Sequence, residues 1–502
     1  MNSKNKIFAT LASVSGVVLI AKILGFFKQV ITAQAFGATV QTDLISLSQG
    51  LVTDIDYVLI QALMTAFIPI YITVKTKNVE SAIKFATNSI KSFFLSTVFL
   101  AVLIILFSDS IAKIIAPAYS DALSSQLAFY VRIMAPALII LVQLAIFNAL
   151  LKANESFLPG ELINVNQSII LIVLIFFVGH VIGADTLVVA FYVYAIVSLI
   201  FLFLLARTFL GEGQRNPFSD ENVQNLLKMM GPLLLGYSMI FLNQQIGKII
   251  VSGIGEGIIT AMTYGATLSN FINTFIGSIS AVLFTYVTKS IAEKDDQAAA
   301  ELIIQSEIYL ITLILPVSIL TVGNAIDIVT IVFKRGAFDV KAVTYSSLAL
   351  QGYAFMFVPL VVRELYSRLQ YAYGDSKQPM INSTIAIIFN IILSIYLGRY
   401  YGVWGVTFAS SLSVLICALL NIYTAHRKNN FLNNKSILNV VPQWIFGSLL
   451  CIIITIAGQI FMTDENIIFR FLTIILFSGF CYCIVMWSVI KPFVLRYFKN
   501  NI

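Results

Sequence analysis

The sequence predicts an all-α polytopic membrane protein: about fourteen transmembrane helices, in two six-helix lobes of parallel pseudo-repeat plus two C-terminal helices. Three observations carry that expectation. Apolar runs begin near Phe8 and recur until Trp487, most of them as long as the ~20 residues that cross a bilayer. Charged residues are 11% of the 502, aliphatic and aromatic residues 59%, and the mean hydropathy is +0.92. That is far too little polar surface for a water-soluble domain of this length. Short motifs also recur at one offset of roughly 220 residues, as a duplicated transporter would show.

The first run follows Lys4 and Lys6, as in a signal peptide. It lacks a small-residue cleavage site, carries Lys22 and Lys28, and leads straight into another span, so it is expected to be a retained helix. The second span closes in Tyr71-Ile72-Thr73-Val74-Lys75 and the eighth in Tyr286-Val287-Thr288-Lys289. Ser156-Phe157-Leu158-Pro159 follows the fourth span, and Ser376-Lys377-Gln378-Pro379 the tenth. Each opens a span with an early asparagine, Asn164 or Asn166 in one case and Asn382 in the other. Six spans therefore repeat as six spans in one orientation, a plan that places a substrate between the halves. The expected division is 1–215, 216–430 and a final pair in 431–502, with spans at Ser436–Phe461 and Asn466–Ile490.

Loop charges alternate. Lys75, Lys77, Lys84, Lys152, Arg207, Arg215, Lys228, Lys289, Lys294, Lys377, Arg427, Lys428, Lys435, Lys491, Arg496 and Lys499 fall on one side. The loops at Gly37–Asp43, His180–Asp185, Gly253–Gly257 and Met462–Asn466 are poor in basic residues, while Lys113, Lys334–Arg335 and Arg399 run against the pattern. The positive-inside rule then places both termini in the cytoplasm of an inner-membrane protein.

Composition also excludes functions. No GxxxxGK[ST] loop is present, so ATP hydrolysis has no seat here. The two histidines, His180 and His426, and the cysteines Cys417, Cys451, Cys481 and Cys483 lack metal-site spacing, which leaves no expected metal, cofactor or catalytic residue. The net charge of +7 lies at helix ends rather than in one patch, so it reads as membrane orientation and not nucleic-acid binding.

Charges inside spans are the candidate substrate site. Lys22 and Lys28 lie in the first span, Asp54 and Asp56 in the second, Gln244, Gln245 and Lys248 in the seventh, and Arg363, Glu364 and Arg368 in the tenth. Arg132 and Asp327 add to the fourth and ninth. A charge at mid-bilayer costs at least ~2.5 kcal/mol, so such groups should face a protein interior or a wet cavity. Internal pairing, with Asp54 or Asp56 neutralising Lys22 or Lys28 and Glu364 neutralising Arg363 or Arg368, is the plain alternative for any one of them. Across the set cations outnumber nearby acids, which implies an anionic substrate group, and phosphate suits paired basic side chains. Lys28 has the length to snorkel to the interface, which makes Lys22 the firmer candidate.

Four groups of short motifs also resemble those of one known family. Leu24-Gly25-Phe26-Phe27-Lys28-Gln29, Ala35-Phe36-Gly37-Ala38 and Thr42-Asp43 are similar to that family's LGFxRD…FGA…TD opening. Ala66-Phe67-Ile68-Pro69-Ile70 resembles its AFVP segment, and Phe333-Lys334-Arg335-Gly336-Ala337-Phe338-Asp339 its RGAFD loop. Tyr371-Ala372 with Asp375-Ser376-Lys377-Gln378-Pro379 is similar to its YA…DTKTP. These motifs resemble the MurJ lipid II flippase family, which implies a MOP-superfamily exporter that moves an undecaprenyl-pyrophosphate-linked saccharide by alternating access, not an enzyme. It also implies that the last two helices shape a groove for the lipid tail. Departures stand beside it. Lysines replace first-span arginines, Ile55 and Asp56 stand where the family has an arginine pair, and Tyr264-Gly265-Ala266-Thr267 replaces YADR. Lys248 is the interior charge of the seventh span, where sodium-binding relatives carry an acid. These departures leave a second substrate open, a capsule or O-antigen unit. A cation-coupled multidrug exporter is a third reading, but it calls for a cavity dominated by acids. An integral-membrane glycosyltransferase would need a substantial outer loop, which the sequence lacks.

Overall fold

The computed structural model describes residues 3–428, 435–463, 465–489 and 491. Both chain ends, with Arg496 and Lys499, and the external position expected at Asp464 lie outside the described residues. Every regular element among the described residues is helical.

Two compact units divide the chain. The first comprises residues 1–260 and the short segment 335–339, and the second comprises 261–334 and 340–502. The first unit holds α1 (Ser3–Phe36), α2 (Val40–Lys77), α3 (Val79–Leu106), α4 (Ser108–Ile115), α5 (Asp121–Met134), α6 (Ala137–Ala153), α7 (Leu158–Ile182), α8 (Thr186–Ala206) and α9 (Glu221–Ser252). After α10 (Ile258–Ala292), which opens at the junction, the second unit holds α11 (Asp296–Gly323), α12 (Ala325–Phe333), α13 (Val340–Ala354) and α14 (Phe357–Ala372). It ends with α15 (Lys377–Lys428), α16 (Lys435–Phe461) and α17 (Ile467–Val485).

Local chemistry sets the breaks between these helices. Thr39 and Thr42 form a capping box at the start of α2. Asn78 ends α2 by donating its N–H to the Val74 carbonyl, and its side chain then accepts from Glu80 and Ser81 to start α3. Asp220 and Asp295 cap α9 and α11 in the same way. Within the first unit α1 lies along α7, and α2 is surrounded by α3, α5, α6 and α9. Its core includes Leu63, Phe67, Tyr71 and Phe85, with Phe67 stacked on both Tyr71 and Phe85. Within the second, α11, α14 and α16 share a core through Phe357, Leu365 and Tyr366, and the Trp444 indole donates to Thr312.

The internal repeat is legible in the backbone. The two SxxP segments open α7 and α15, each placing its proline in the first turn. Gly183 and Gly402, roughly 220 residues apart, adopt nearly identical left-handed conformations (φ 59, ψ −140 and φ 59, ψ −136), which glycine alone tolerates without strain. The early asparagines do the same work in each copy: Asn166 donates to Ser198 across α7 and α8, and Asn382 to Asn421 across the two limbs of α15.

By length and composition, 11 helices among the described residues can cross a membrane, or 12 if the bent pair α13–α14 forms one span. Two of the 11 run 52 and 51 residues. Laid straight at 1.5 Å per residue each would be about 75 Å long, more than twice the hydrocarbon thickness. Gly183 breaks one and Gly402 the other.

Candidate substrate site

The structure sorts the charged residues of the spans into separate clusters. On α2, Asp54 accepts hydrogen bonds from Lys248 Nζ at 2.8 Å and Gln245 Nε2 at 2.6 Å, both on α9. The ammonium lies against the bare backbone of Gly50, where a Cβ would come within 2.8 Å of it. Asp54 is therefore neutralised, but by the seventh span rather than by Lys22 or Lys28. Asp56 is two residues on, about 200° round the helix, and so faces the other way. It is buried, and its Oδ1 has no hydrogen-bond partner.

Lys28 and Lys22 also part company. Lys28 is half-buried and donates to Gln167 Oε1 of α7 at 3.4 Å, so it turns into the α1–α7 pair. Lys22 is exposed and makes no hydrogen bond or ion pair among the described residues. Gln244 is exposed, while Gln245 is buried against Asp54.

The second unit carries the densest basic group. On α14 Arg363 meets Glu364 at 2.7 Å and Arg368 meets the other carboxylate oxygen at 3.4 Å. Two guanidiniums share one carboxylate, so the group keeps a net positive charge. All three side chains retain about a quarter to a third of their exposure (35%, 23% and 25%). Arg368 also lies 6.0 Å from the Phe284 ring centre, and its buried Nε has no acceptor. This combination of excess cation, partial access and an unspent planar donor suits a phosphoryl oxygen.

Asp327 and Arg470 are different. Arg470 grips Asp327 through both Nη2 (2.6 Å) and Nε (3.2 Å), and Gln459 Nε2 adds a third donor at 2.8 Å. Every charge there is spent internally, so it ties α12 to α16 and α17 rather than offering a site. No local feature of the chain signals this pairing, because its partners lie 143 residues apart.

The motifs that resemble the flippase family are largely a backbone joint in the first unit. The N–H of Ala337 donates to the Gln34 carbonyl at 2.9 Å. Gly336 and Gly37 both have positive φ (56° and 62°), and a Cβ on either would fall 2.3 Å from a carbonyl oxygen, of Gln34 and Ala337 respectively. Asp43, fully buried, accepts from the N–H groups of Gly257 and Thr260, each at 2.7 Å, and so caps the start of α10. Burial first, then the carboxylates of Asp43 and Glu256, push the nearby Tyr119 phenol above its usual pKa. A cavity of about 600 Å³ in the same unit is lined by Pro69, Thr73, Lys77, Ser81, Asn222 and Asn225 among others, and includes none of the span charges. Among the described residues no cluster of histidine, cysteine and carboxylate side chains could hold a metal ion.

Comparison with known proteins identifies the family and the fold. The family model described as "Lipid II flippase MurJ" matches residues 32–477. A probable lipid II flippase MurJ of Buchnera aphidicola subsp. Schizaphis graminum is 25% identical over 505 residues, covering 96% of each chain. Among solved structures, a lipid II flippase MurJ in an inward closed conformation superposes with a TM-score of 0.81 at 21% identity, over 96% of this chain and 99% of that one. An inward-facing multidrug resistance MATE family transporter of the MOP superfamily shares the fold more distantly (TM-score 0.58, 15% identity, 84% and 96% covered). Eleven or twelve membrane-length spans among the described residues, a duplicated half and the motif-built joint thus coincide with a match over most of the chain, and this multi-pass membrane protein belongs to the MurJ family, transporters rather than enzymes.

Proposed function

We propose that the protein carries a polyprenyl-pyrophosphate-linked saccharide, lipid II or a related lipid-linked oligosaccharide, across the bacterial inner membrane by alternating access. The observation that carries this reading is the Arg363–Glu364–Arg368 group, with one buried guanidinium donor unspent. An unmatched charged donor inside a span costs free energy unless an anion completes it, and a pyrophosphate offers several oxygens to a planar fork. Within the first unit, Lys22, Lys28, Lys248, Asp54 and Asp56 are proposed as further substrate-handling residues. In reconstituted vesicles, Arg368→Ala and Arg363→Ala should each reduce flipping of lipid II, or of another undecaprenyl-pyrophosphate oligosaccharide, by at least tenfold. Wild-type rates in both variants would remove this group from the headgroup path.

One observation favours a substrate other than lipid II. Lys248 is consumed by Asp54 and Lys28 is turned toward Gln167, so fewer free cations remain than the sequence suggests. Weak or absent rescue of a strain depleted of its own lipid II flippase is expected, with loss of a surface polysaccharide when the gene is removed. Full rescue of growth at native expression would sink the divergent-substrate reading.

For topology we propose fourteen spans, counting α13–α14 as one and the two longest helices as two each, in lobes 1–215 and 216–430 with a C-terminal pair. The 207–225 loop and both termini are placed in the cytoplasm. A cysteine introduced at Asp464 should react with an impermeant reagent from outside, whereas one at Asn216 should not.

A further inference from the structure

Asp56 is the anomaly of the first unit. It sits in the middle of α2, is 8% exposed, and its Oδ1 is sealed from solvent with no donor within reach. The other buried carboxylates among the described residues are satisfied: Asp43 by two backbone N–H groups, Asp220 by Asn88, Asp327 by Arg470 and Gln459, and Glu307 by Tyr366. An ionised carboxylate without such partners is far too costly to keep in a low-dielectric interior, so the group is neutral there or carries a cation.

The surroundings decide between those two states. Tyr194 of α8 approaches Asp56 and also Gln167, whose amide oxygen takes the Lys28 ammonium. On the helices packed against α2, Arg132 of α5 pairs with Asp109, Lys152 of α6 with Glu161 and Lys248 of α9 with Asp54, while the exposed Lys228 of α9 stands about 30 Å along that helix from Lys248. On α3, Glu80, Lys84 and Lys91 follow directly after the end of α2. In an antiparallel pair the nearest of them, Lys91, stands about 13 Å along the axis from Asp56. Asp54 faces the opposite side, and the Tyr130 phenol of α5 donates to Asp185. Lys28, linked to this corner through Gln167 and Tyr194, rests its ammonium on the neutral amide and makes no ion pair with Asp56, and a single carboxylate near a phenol offers too few oxygens for a metal ion. The species that fits is a proton.

We propose that Asp56 is a proton-binding site that loads and releases a proton during the transport cycle, making the proton a coupling ion of this exporter. Loading adds a proton from water to the carboxylate and leaves a neutral acid in the first unit, and release reverses it when the site is wetted. The coupling rests on the transport reading above, but the binding itself does not.

The test is infrared difference spectroscopy of the purified full-length protein in phosphatidylethanolamine–phosphatidylglycerol vesicles, titrated from acid to alkaline pH. Wild-type protein should show a carboxylic-acid C=O band at neutral pH that disappears at high pH. The near-isosteric Asp56→Asn variant should lack it, and Asp54→Asn should retain it. In the same vesicles an imposed pH gradient should accelerate flipping of lipid II, or of another undecaprenyl-pyrophosphate oligosaccharide, by wild type and by Asp56→Glu, and do so at least tenfold less for Asp56→Asn. Thermal melting of each variant separates misfolding from loss of the proton. Identical wild-type and Asp56→Asn spectra would overturn the proposal, as would a C=O band that never titrates, since that describes a structural acid. If the band titrates as expected but no variant flips lipid, the site stands and the transport reading fails.

Discussion

Asp109 on α4 and Asp327 on α12 occupy matching places in the two copies of the repeat, roughly 220 residues apart. Each meets an arginine at close range, 2.5 Å for Asp109 with Arg132 and 2.6 Å for Asp327 with Arg470. The environments are opposite. Arg132 and Asp109 keep 45% and 67% of their side-chain exposure, whereas Arg470 and Asp327 keep 15% and 2%. In the first copy the arginine comes from the next helix, α5. In the second that place holds Gln351, which bonds to the Val322 carbonyl, and the arginine comes from α17, outside the repeat altogether. Duplication left the same acid in both copies, and the added helix pair buried one of them. A short N···O distance says little about an ion pair's weight; burial sets the cost of breaking it.

That contrast can be broken or sharpened by mutation. The largest effect is expected for Arg470→Ala, which strands a buried carboxylate and should cost about 3–5 kcal/mol, read as a lower melting temperature and lower membrane abundance. If the variant melts like wild type, the pair is not what ties α17 to α12. Replacing both partners, as Asp327→Asn with Arg470→Met, should recover most of that loss, because no charge is then left uncompensated. Adding Gln351→Arg to Arg470→Ala tests the repeat directly. It restores the first copy's arrangement and should regain part of the lost stability, and a further drop would show that α13 cannot present an arginine to Asp327. Next comes Arg368→Ala, on a side chain a quarter exposed and held by a 3.4 Å contact. It should shift stability by no more than about 1 kcal/mol while strongly reducing transport. The smallest effect belongs to Arg132→Ala, within about 1 kcal/mol of wild type. A loss matching that of Arg470→Ala would mean that exposure does not separate the two pairs.

The span residues divide along the same line. Arg363 and Arg368 were legible as candidates because arginines in an apolar run have few structural reasons to be there, and they do gather round Glu364. Lys22 stood out equally well, yet it is exposed and has no partner among the described residues. Its role is a proposal that Lys22→Ala can test. Loss of transport at unchanged abundance, with activity kept in Lys22→Arg, is the expected pattern, and normal transport would mark it as lipid-facing. Asp54 and Asp56 look alike in the chain, but a half-turn of helix gives one a lysine and the other nothing.

The sequence alone determined the helices, their approximate number, the duplication and the family. Those follow from local quantities: the run length a bilayer demands, the capping residues that end a helix, the glycines and prolines that break one, and motifs read in order. Even the extra pair, expected at Ser436–Phe461 and Asn466–Ile490, emerges as Lys435–Phe461 and Ile467–Val485. Only the tertiary structure decided which charges are spent. The partners of Asp54, Asp43 and Asp327 lie 194, 214 and 143 residues away. A charge inside a span must find a partner or change its protonation state, but its type and spacing do not say which. That depends on what the packing of distant helices brings within 3 Å of it, a property no local stretch of chain encodes.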